Sequence, residues 1–246
     1  MSAEPFPHIV LDGLIDNDIL RRVNAEYPSS DGHSYYDDEQ TKLKYQYPPG
    51  EVDSPLIRNL LYELTSQAFV RFLEEMTGIH GLITDNSFDG GGLHETKRGG
   101  KLAIHADFTM HKKLKIERRL NLLIYLNDGW QPEYRGDLEL WNKSMRAAQV
   151  SILPELGRSV VFSTTRNSFH GQPDPIECPP DRSRRSIAIY YYTAAESGVA
   201  AIPDRLTNFQ VRPGSNDKRV GGLLREHLMR DWLPPRIYQA IRRRTG

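Results

Sequence analysis

The chain has 246 residues, of which 38% are apolar and 26% charged, and its 32 basic side chains are matched by 32 acidic ones. This size and composition are typical of one globular domain with a full hydrophobic core. The zero formal net charge argues against a nucleic acid or a membrane surface as a partner recruited by bulk charge. The sequence contains no apolar run long enough to cross a bilayer, and we expect no signal peptide in the polar residues 1–8.

A single cysteine, Cys178, excludes internal disulfides and metal sites built from cysteine alone. We therefore expect the protein in the cytoplasm, with any metal held by nitrogen and oxygen ligands. The one local excess of charge is a group of arginines near the end of the chain. It fits the solvated face of a helix without any partner.

The first part of the chain, residues 1–81, predicts helices on either side of a polar segment. Apolar residues recur at helical spacing between residues 16 and 27. A continuous helix of about 22 residues is predicted from its Ser54 cap to its stop at Gly78. Residues 28–53 are rich in Ser, Asp, Tyr and Gly and predict a long surface loop. A loop of that length is usually either a substrate lid or disordered.

From residue 82 to residue 193 the apolar pattern acquires the period of strands, and short runs are separated by Gly, Asn, Asp and Pro turns. The runs cover residues 101–108, 119–126, 137–141, 149–153, 158–163 and 185–193. They predict a mainly β fold with flanking helices (α+β), in which antiparallel strands form a sandwich or barrel. Helical patterning returns in residues 194–246, at 220–232 and 235–244. We expect the whole chain, 1–246, to form a single domain.

The run at residues 101–108 carries two polar side chains of a kind that binds metals. His105 and Asp107 are two residues apart and therefore project to one face of the strand. A buried His–Asp hydrogen-bonded pair would explain them, and so would a metal, which satisfies a buried carboxylate that is otherwise costly. A later segment supplies His170, and two histidines with one carboxylate form the facial triad of non-haem iron(II) enzymes.

A third element, the Arg-Arg-Ser segment at 184–186, opens the last strand-like run after His170. The order His-x-Asp, a distant His and then Arg-x-Ser resembles the 2-oxoglutarate/iron(II) oxygenase superfamily, most closely its prolyl-hydroxylase-like branch. Three further segments are similar to the same enzymes: residues 5–12, 123–130 and 136–140. The likeness extends over residues 5–195.

This resemblance implies a double-stranded β-helix, a cupin-like jelly roll with iron(II) at its open mouth. It also implies 2-oxoglutarate as the cosubstrate and O2 as the oxidant, with ascorbate as a supporting reductant. The metal ligands of the family are matched by His105, Asp107 and His170.

The resemblance also implies a set of residues for the cosubstrate. Arg184 matches the residue that binds the far carboxylate of 2-oxoglutarate, and Tyr125 matches a position that contacts the same carboxylate. Asn121 and Ser186 share the inward face with them. Without the triad, Arg184 would be interpreted as a solvated basic residue and Tyr125 as a core aromatic. Strand alternation turns Arg184 to the interior and predicts that Arg185 reaches solvent.

Two other histidines lie near these segments. We interpret His94 either as a satisfied core histidine or as a residue on the substrate side of the pocket. His111 follows the metal strand in a loop with Lys112 and Lys113, and we expect it to be solvated.

These features predict an enzyme that hydroxylates an unactivated C–H bond while 2-oxoglutarate becomes succinate and carbon dioxide. The substrate, a small molecule or a protein side chain, is left open among a prolyl or other protein residue, an amino acid, a saccharide and a natural-product intermediate. The alternative is a non-catalytic cupin-like protein that binds a metal or a sugar on the same scaffold. Arg184 favours the enzyme, because a simple metal cupin has no need of it.

Overall fold

One curled antiparallel sheet forms the centre of the computed structural model, which describes residues 2–29, 34–195 and 207–217. Its strands are β1 (His8–Asp12), β2 (Ser34–Tyr36), β3 (Thr41–Tyr47), β4 (Ile83–Thr84), β5 (Gly92–Ala106), β6 (Ile116–Tyr125), β7 (Leu138–Trp141), β8 (Ala148–Ile152), β9 (Arg158–Ser163), β10 (Phe169–Gln172), β11 (Ser183–Ala194) and β12 (Asn208–Phe209). The helices are α1 (Asn17–Ala25), α2 (Pro55–Glu63) and α3 (Gln67–Thr77). All of these elements belong to one compact unit, Met1–Pro213.

The helices predicted at 220–232 and 235–244 lie outside the described residues. Within the residues that are described, no helix is long and apolar enough to span a membrane.

The sheet has the order β1-β9-β6-β11-β5-β10-β7-β8 and curls into a half-barrel, which confirms the predicted jelly roll. The long strand β5 joins its two halves, because its first part pairs with β11 and β3 and its last part with β10 and β12. Gly100 lies where β5 passes from one half to the other. A Cβ at this position would lie 2.8 Å from the carbonyl oxygens of Lys42 and Lys97, so the close approach requires glycine.

The outer face of the sheet is covered by the helices. Ile187, Ile189 and Tyr191 of β11 are buried in the same apolar cluster as Leu20 of α1 and Leu61 of α2. Burial of each such side chain contributes about 1.5–3 kcal/mol. Because side chains alternate along a strand, the other side chains of β11, beginning with Arg184, face the interior of the half-barrel. This is the orientation predicted from the sequence.

The prediction of a single helix between Ser54 and Gly78 is wrong, because the helix is interrupted in its middle. Both predicted ends are present, since the Ser54 hydroxyl accepts from the Ile57 N–H at 3.2 Å and Gly78 has a left-handed φ of 71°. The chain nevertheless breaks after α2 and restarts at Ser66, whose hydroxyl accepts from the Phe69 N–H at 3.3 Å. Serine side chains compete for backbone N–H groups, so this cap begins a second helix.

The long surface loop predicted at residues 28–53 is also wrong, because it contains a hairpin of β2 and β3. The Asp38 carboxylate accepts from the N–H groups of Gln40 and Thr41 at 2.8 and 2.7 Å, which builds the turn between the two strands. The strand β3 then pairs with β5 and buries Tyr47 completely. The segment therefore extends the central sheet and forms one wall of the barrel.

Candidate active site

Three side chains predicted as metal ligands meet at the mouth of the half-barrel. His105 lies near the end of β5, Asp107 just beyond it, and His170 in β10 directly opposite His105 in the strand register. The Nε2 atoms of His105 and His170 lie 3.6 and 3.5 Å from the two oxygens of Asp107. The three ligand atoms all lie within 4.8 Å of one another. These separations are long for hydrogen bonds but suit ligands around one ion.

The two imidazoles are oriented by backbone carbonyls. The Nδ1 atoms of His105 and His170 lie 2.8 and 2.9 Å from the carbonyl oxygens of Ala103 and Ser168. A carbonyl oxygen only accepts, so each Nδ1 carries the proton and each Nε2 lone pair faces Asp107. Burial, reinforced by neighbouring His105, lowers the pKa of His170 to about 4. The ring is therefore neutral at pH 7, the form that binds metals.

Asp107 is kept ionised by its neighbours. Burial alone would favour the acid, but Arg118 and the two imidazoles hold the pKa of this carboxyl well below its usual range. The guanidinium of Arg118 lies 3.1 Å from Oδ2, and the Asn121 amide donates to the same oxygen at 2.8 Å. Two imidazoles and one carboxylate with an open side fit iron(II).

A cation inside the barrel stands apart from this triad. The Arg184 side chain is 8% exposed, and no carboxylate among the described residues lies within ion-pair distance of it. Its Nε donates to the Gly136 carbonyl at 2.6 Å, and one terminal nitrogen donates to the Tyr125 hydroxyl at 3.3 Å. Burial raises the pKa of Tyr125 despite the opposing effect of Arg184, so the phenol keeps its proton. A buried guanidinium without an acid is suited to a ligand carboxylate.

The sequence of this barrel matches a known family. Residues 91–192, which contain the triad and Arg184, match the model of the 2OG-Fe(II) oxygenase superfamily. The match covers 102 of the 246 residues. Together with the convergent His-Asp-His set, it indicates an iron(II)- and 2-oxoglutarate-dependent oxygenase of the hydroxylase type. Among curated protein sequences, none matches it significantly.

Solved structures share the fold of this oxygenase at low sequence identity. A prolyl-4-hydroxylase from Pseudomonas putida is 16% identical, with a TM-score of 0.53 over 77% of this chain and 93% of its own. A Trichoplax adhaerens prolyl hydroxylase in complex with a hypoxia inducible factor peptide is 14% identical, with a TM-score of 0.53 over 75% and 83%. HygX from Streptomyces hygroscopicus, with nickel, 2-oxoglutarate and hygromycin B bound, is 13% identical, with a TM-score of 0.53 over 83% and 93%.

The remaining predicted cosubstrate residues of the oxygenase lie on the inner face. Ser186 of β11 pairs with Tyr125 of β6 and lies two residues along β11 from Arg184. Asn121 lies on the same face of β6, but its side chain is engaged with Asp107. Its oxygen accepts from Arg118 Nε at 2.8 Å and from the Thr164 hydroxyl at 3.1 Å. The structure thus places Asn121 beside the metal triad.

Arg118 contacts the predicted metal ligand Asp107, and strand alternation did not reveal this position. Counting back from Asn121 by twos places Arg119 on the inner face. The register between β6 and β11 shifts beside Tyr191, however, and this bulge turns Arg118 inward instead. The guanidinium then stacks on the Tyr190 ring, 3.4 Å from its centroid.

One prediction about a neighbouring residue is wrong, and another holds only in part. His111 is not solvated but 1% exposed, with Nε2 3.2 Å from Asp85 and Nδ1 accepting from two backbone N–H groups. Arg185 does lie on the outer face, yet it reaches solvent only in part. Its Nε bonds buried Glu95 at 3.1 Å and its guanidinium stacks on Tyr27. Sequence spacing does not show such long-range partners.

His94 is buried on the inner face beside Ser186. Its Nε2 donates to the Gly90 carbonyl at 3.1 Å, which leaves Nδ1 as the acceptor. Burial, followed by the charge of Lys44, lowers the pKa of His94 well below its ordinary range. The ring is thus a neutral wall of the barrel interior.

Proposed function

We propose that His105, Asp107 and His170 hold iron(II), and that Arg184 binds the far carboxylate of 2-oxoglutarate in the same barrel. The observation that carries this proposal is the pairing of a convergent His-Asp-His set with a buried guanidinium that lacks an acid partner. A metal-binding cupin would need the first feature but not the second.

Each residue then has a physical task. The carbonyls of Ala103 and Ser168 keep both Nε2 atoms available, and Arg118 with Asn121 keeps Asp107 ionised and in one orientation. Bound iron(II) and 2-oxoglutarate supply the oxidising chemistry, in which one atom of O2 enters a C–H bond and the other enters succinate. The protein itself fixes geometry and excludes water.

Arg184 sets the orientation of the cosubstrate. One guanidinium edge is held by the Gly136 carbonyl and the Tyr125 hydroxyl, so the group cannot turn away from the interior. Tyr125, which keeps its proton, can donate to the same carboxylate, and Ser186 leaves space beside them. A dicarboxylate gripped at its far end presents its 2-oxo acid end to the triad in a single direction.

We propose a protein side chain or a small molecule as the substrate, with no nucleic acid or membrane partner. The fold is shared with prolyl hydroxylases and with HygX, whose structure holds hygromycin B, so it accommodates both kinds of ligand. The single cysteine supports a reducing compartment such as the cytoplasm.

The test is the release of succinate from 2-oxoglutarate by the iron(II)-loaded enzyme with ascorbate, followed by incubation with cell extract. We expect succinate from the wild type, and extract products heavier by one oxygen atom. The Asp107→Ala variant serves as the control and should give neither. Absence of succinate under all conditions would favour the non-catalytic cupin.

A further inference from the structure

Lys44 of β3 is a cation on the inner face of the barrel that the proposed chemistry does not use. It pairs with Thr96 of β5, and Thr96 pairs in turn with Arg184 of β11. Neighbouring strands lie about 4.8 Å apart, so the Cα atoms of Lys44 and Arg184 are separated by roughly 10 Å. Two side chains of this length can reach one group lying between them.

The direction of Lys44 follows from alternation along β3. Tyr45 and Tyr47 pack in the apolar cluster beneath the helices, so Lys44 and Gln46 face the other way, into the barrel. A register shift between Lys42 and Lys44, with Leu43 at a φ of 50°, sets this direction. Lys42, before the shift, is 45% exposed and pairs with Asp37 at 3.3 Å.

The charges around Lys44 leave it without a counterion. Burial, with Arg184 and Arg118 adding to it against the attraction of Asp107, lowers the pKa of Lys44 to about 8. No carboxylate among the described residues lies within ion-pair distance of its ammonium, and Asp107 is already engaged by Arg118. The interior therefore contains two cations, Arg184 and Lys44, at one level and without an acid. Lys44 is partly buried and Arg184 is buried, and a cation removed from water is costly unless a ligand pairs with it.

A second buried side chain on the neighbouring strand β10 also lacks a partner. Gln172 follows His170 by two residues on β10 and so shares its inward face. It is 3% exposed, yet neither atom of its amide has a hydrogen-bond partner among the described residues. Buried amides without partners are rare and call for an explanation.

We propose that Lys44 is a second cation for the far carboxylate of 2-oxoglutarate, facing Arg184 across the pocket, and that the Gln172 amide contacts the same ligand. This assignment rests on the proposed function. It gives both unpaired cations one shared anion, and it gives the Gln172 amide an oxygen to which it can donate.

The test measures ligand binding to the manganese(II)-loaded protein without oxygen, by calorimetry. Two ligands are compared: 2-oxoglutarate, and 2-oxopentanoate, which has a methyl group in place of the far carboxylate. We expect Lys44→Met to weaken 2-oxoglutarate about tenfold or more, the scale of one charge-assisted contact. The affinity for 2-oxopentanoate should not change. Lys44→Gln should behave like Lys44→Met, whereas Lys42→Met, the matched surface control, should match the wild type with both ligands.

The other outcomes of this test distinguish a failure of the inference about Lys44 from a failure of the proposed function. Unchanged 2-oxoglutarate affinity in both Lys44 variants would overturn the inference, because Lys44 would then make no contact with the far carboxylate. Equal weakening of both ligands would also overturn it, because it would show a general disturbance of the pocket. If the wild type itself bound no 2-oxoglutarate, the proposed function would fail before the variants were compared.

Discussion

The Asn121 side-chain amide donates to Asp107 Oδ2 at 2.8 Å, while its oxygen accepts from Arg118 and Thr164. These contacts fix which end of the amide faces Asp107, because only its nitrogen can donate. The groups that orient the carboxylate are thus side chains of the protein itself. Groups that orient metal ligands in this way are part of the metal site.

Asn121→Ala should lower the affinity for iron(II) by about 10- to 100-fold, as the loss of such an orienting partner typically does. Anaerobic titration with iron(II) measures it. Thr164→Val, which removes only one of the contacts that hold Asn121, should have a smaller effect in the same direction. Wild-type affinity in the Asn121 variant would show that Arg118 orients Asp107 unaided.

Alanine at His105, Asp107 or His170 should each abolish 2-oxoglutarate turnover and lower metal affinity, because the convergent set loses one of its three ligand atoms. Circular dichroism should show a folded protein in every case, since the sheet does not depend on these side chains. Near wild-type turnover in any one variant would mean that the triad is assigned to the wrong residues.

The parts of this site that the sequence predicts are those fixed by local periodicity. His105 and Asp107 share a face because they are two residues apart, and the small and bulky sets of β11 separate in the same way. The family resemblance then added His170 and Arg184. No partner further along the chain had to be known for any of these inferences.

The parts that the sequence missed depend on register shifts and on distant strands. A bulge in β6 places Arg118, rather than Arg119, on the inner face. A register shift in β3 turns Lys44 inward, within a segment whose composition alone predicts a loop. Glu95 is a similar case, because its partner Arg185 is distant in sequence. Tertiary pairing decides such positions.

Arg184→Gln should raise the 2-oxoglutarate requirement by about a hundredfold, because the far carboxylate loses its bidentate cation. Arg185→Gln should change it by less than about threefold. Arg185→Gln should instead lower the free energy of unfolding by about 1–3 kcal/mol, since Arg185 pairs with buried Glu95 and donates a hydrogen bond to Asn24. Cosubstrate consumption and urea unfolding of both variants measure the two effects. A larger effect of Arg185→Gln than of Arg184→Gln on the 2-oxoglutarate requirement would mean that Arg185 binds the far carboxylate.

Lys44 should make the metal-free protein less stable at neutral pH than a variant without this charge. Its pKa is lowered to about 8 in the folded protein from the ordinary lysine value of 10.5, mainly by burial. Between these values the unfolded chain binds more protons, so the stability of the wild type rises with pH across that window. The Lys44→Met variant has no ammonium group at this position, so its stability should not show this rise with pH.

At pH 7 the Lys44→Met variant should therefore be more stable than the wild type by about 1–2 kcal/mol, after allowance for the solvent that reaches the side chain. The difference should shrink as the pH rises from about 8 to 10.5. Urea unfolding of the metal-free proteins at both ends of this window measures it, with Lys42→Met as the control that should follow the wild type. Saturating manganese(II) and 2-oxoglutarate should reduce or reverse this difference in stability at pH 7, because the ligand stabilises the wild type, which binds it more tightly, to a greater extent than Lys44→Met. A Lys44→Met protein that is less stable than the wild type at pH 7 would show that the lysine contributes packing to the fold and that its charge is already balanced.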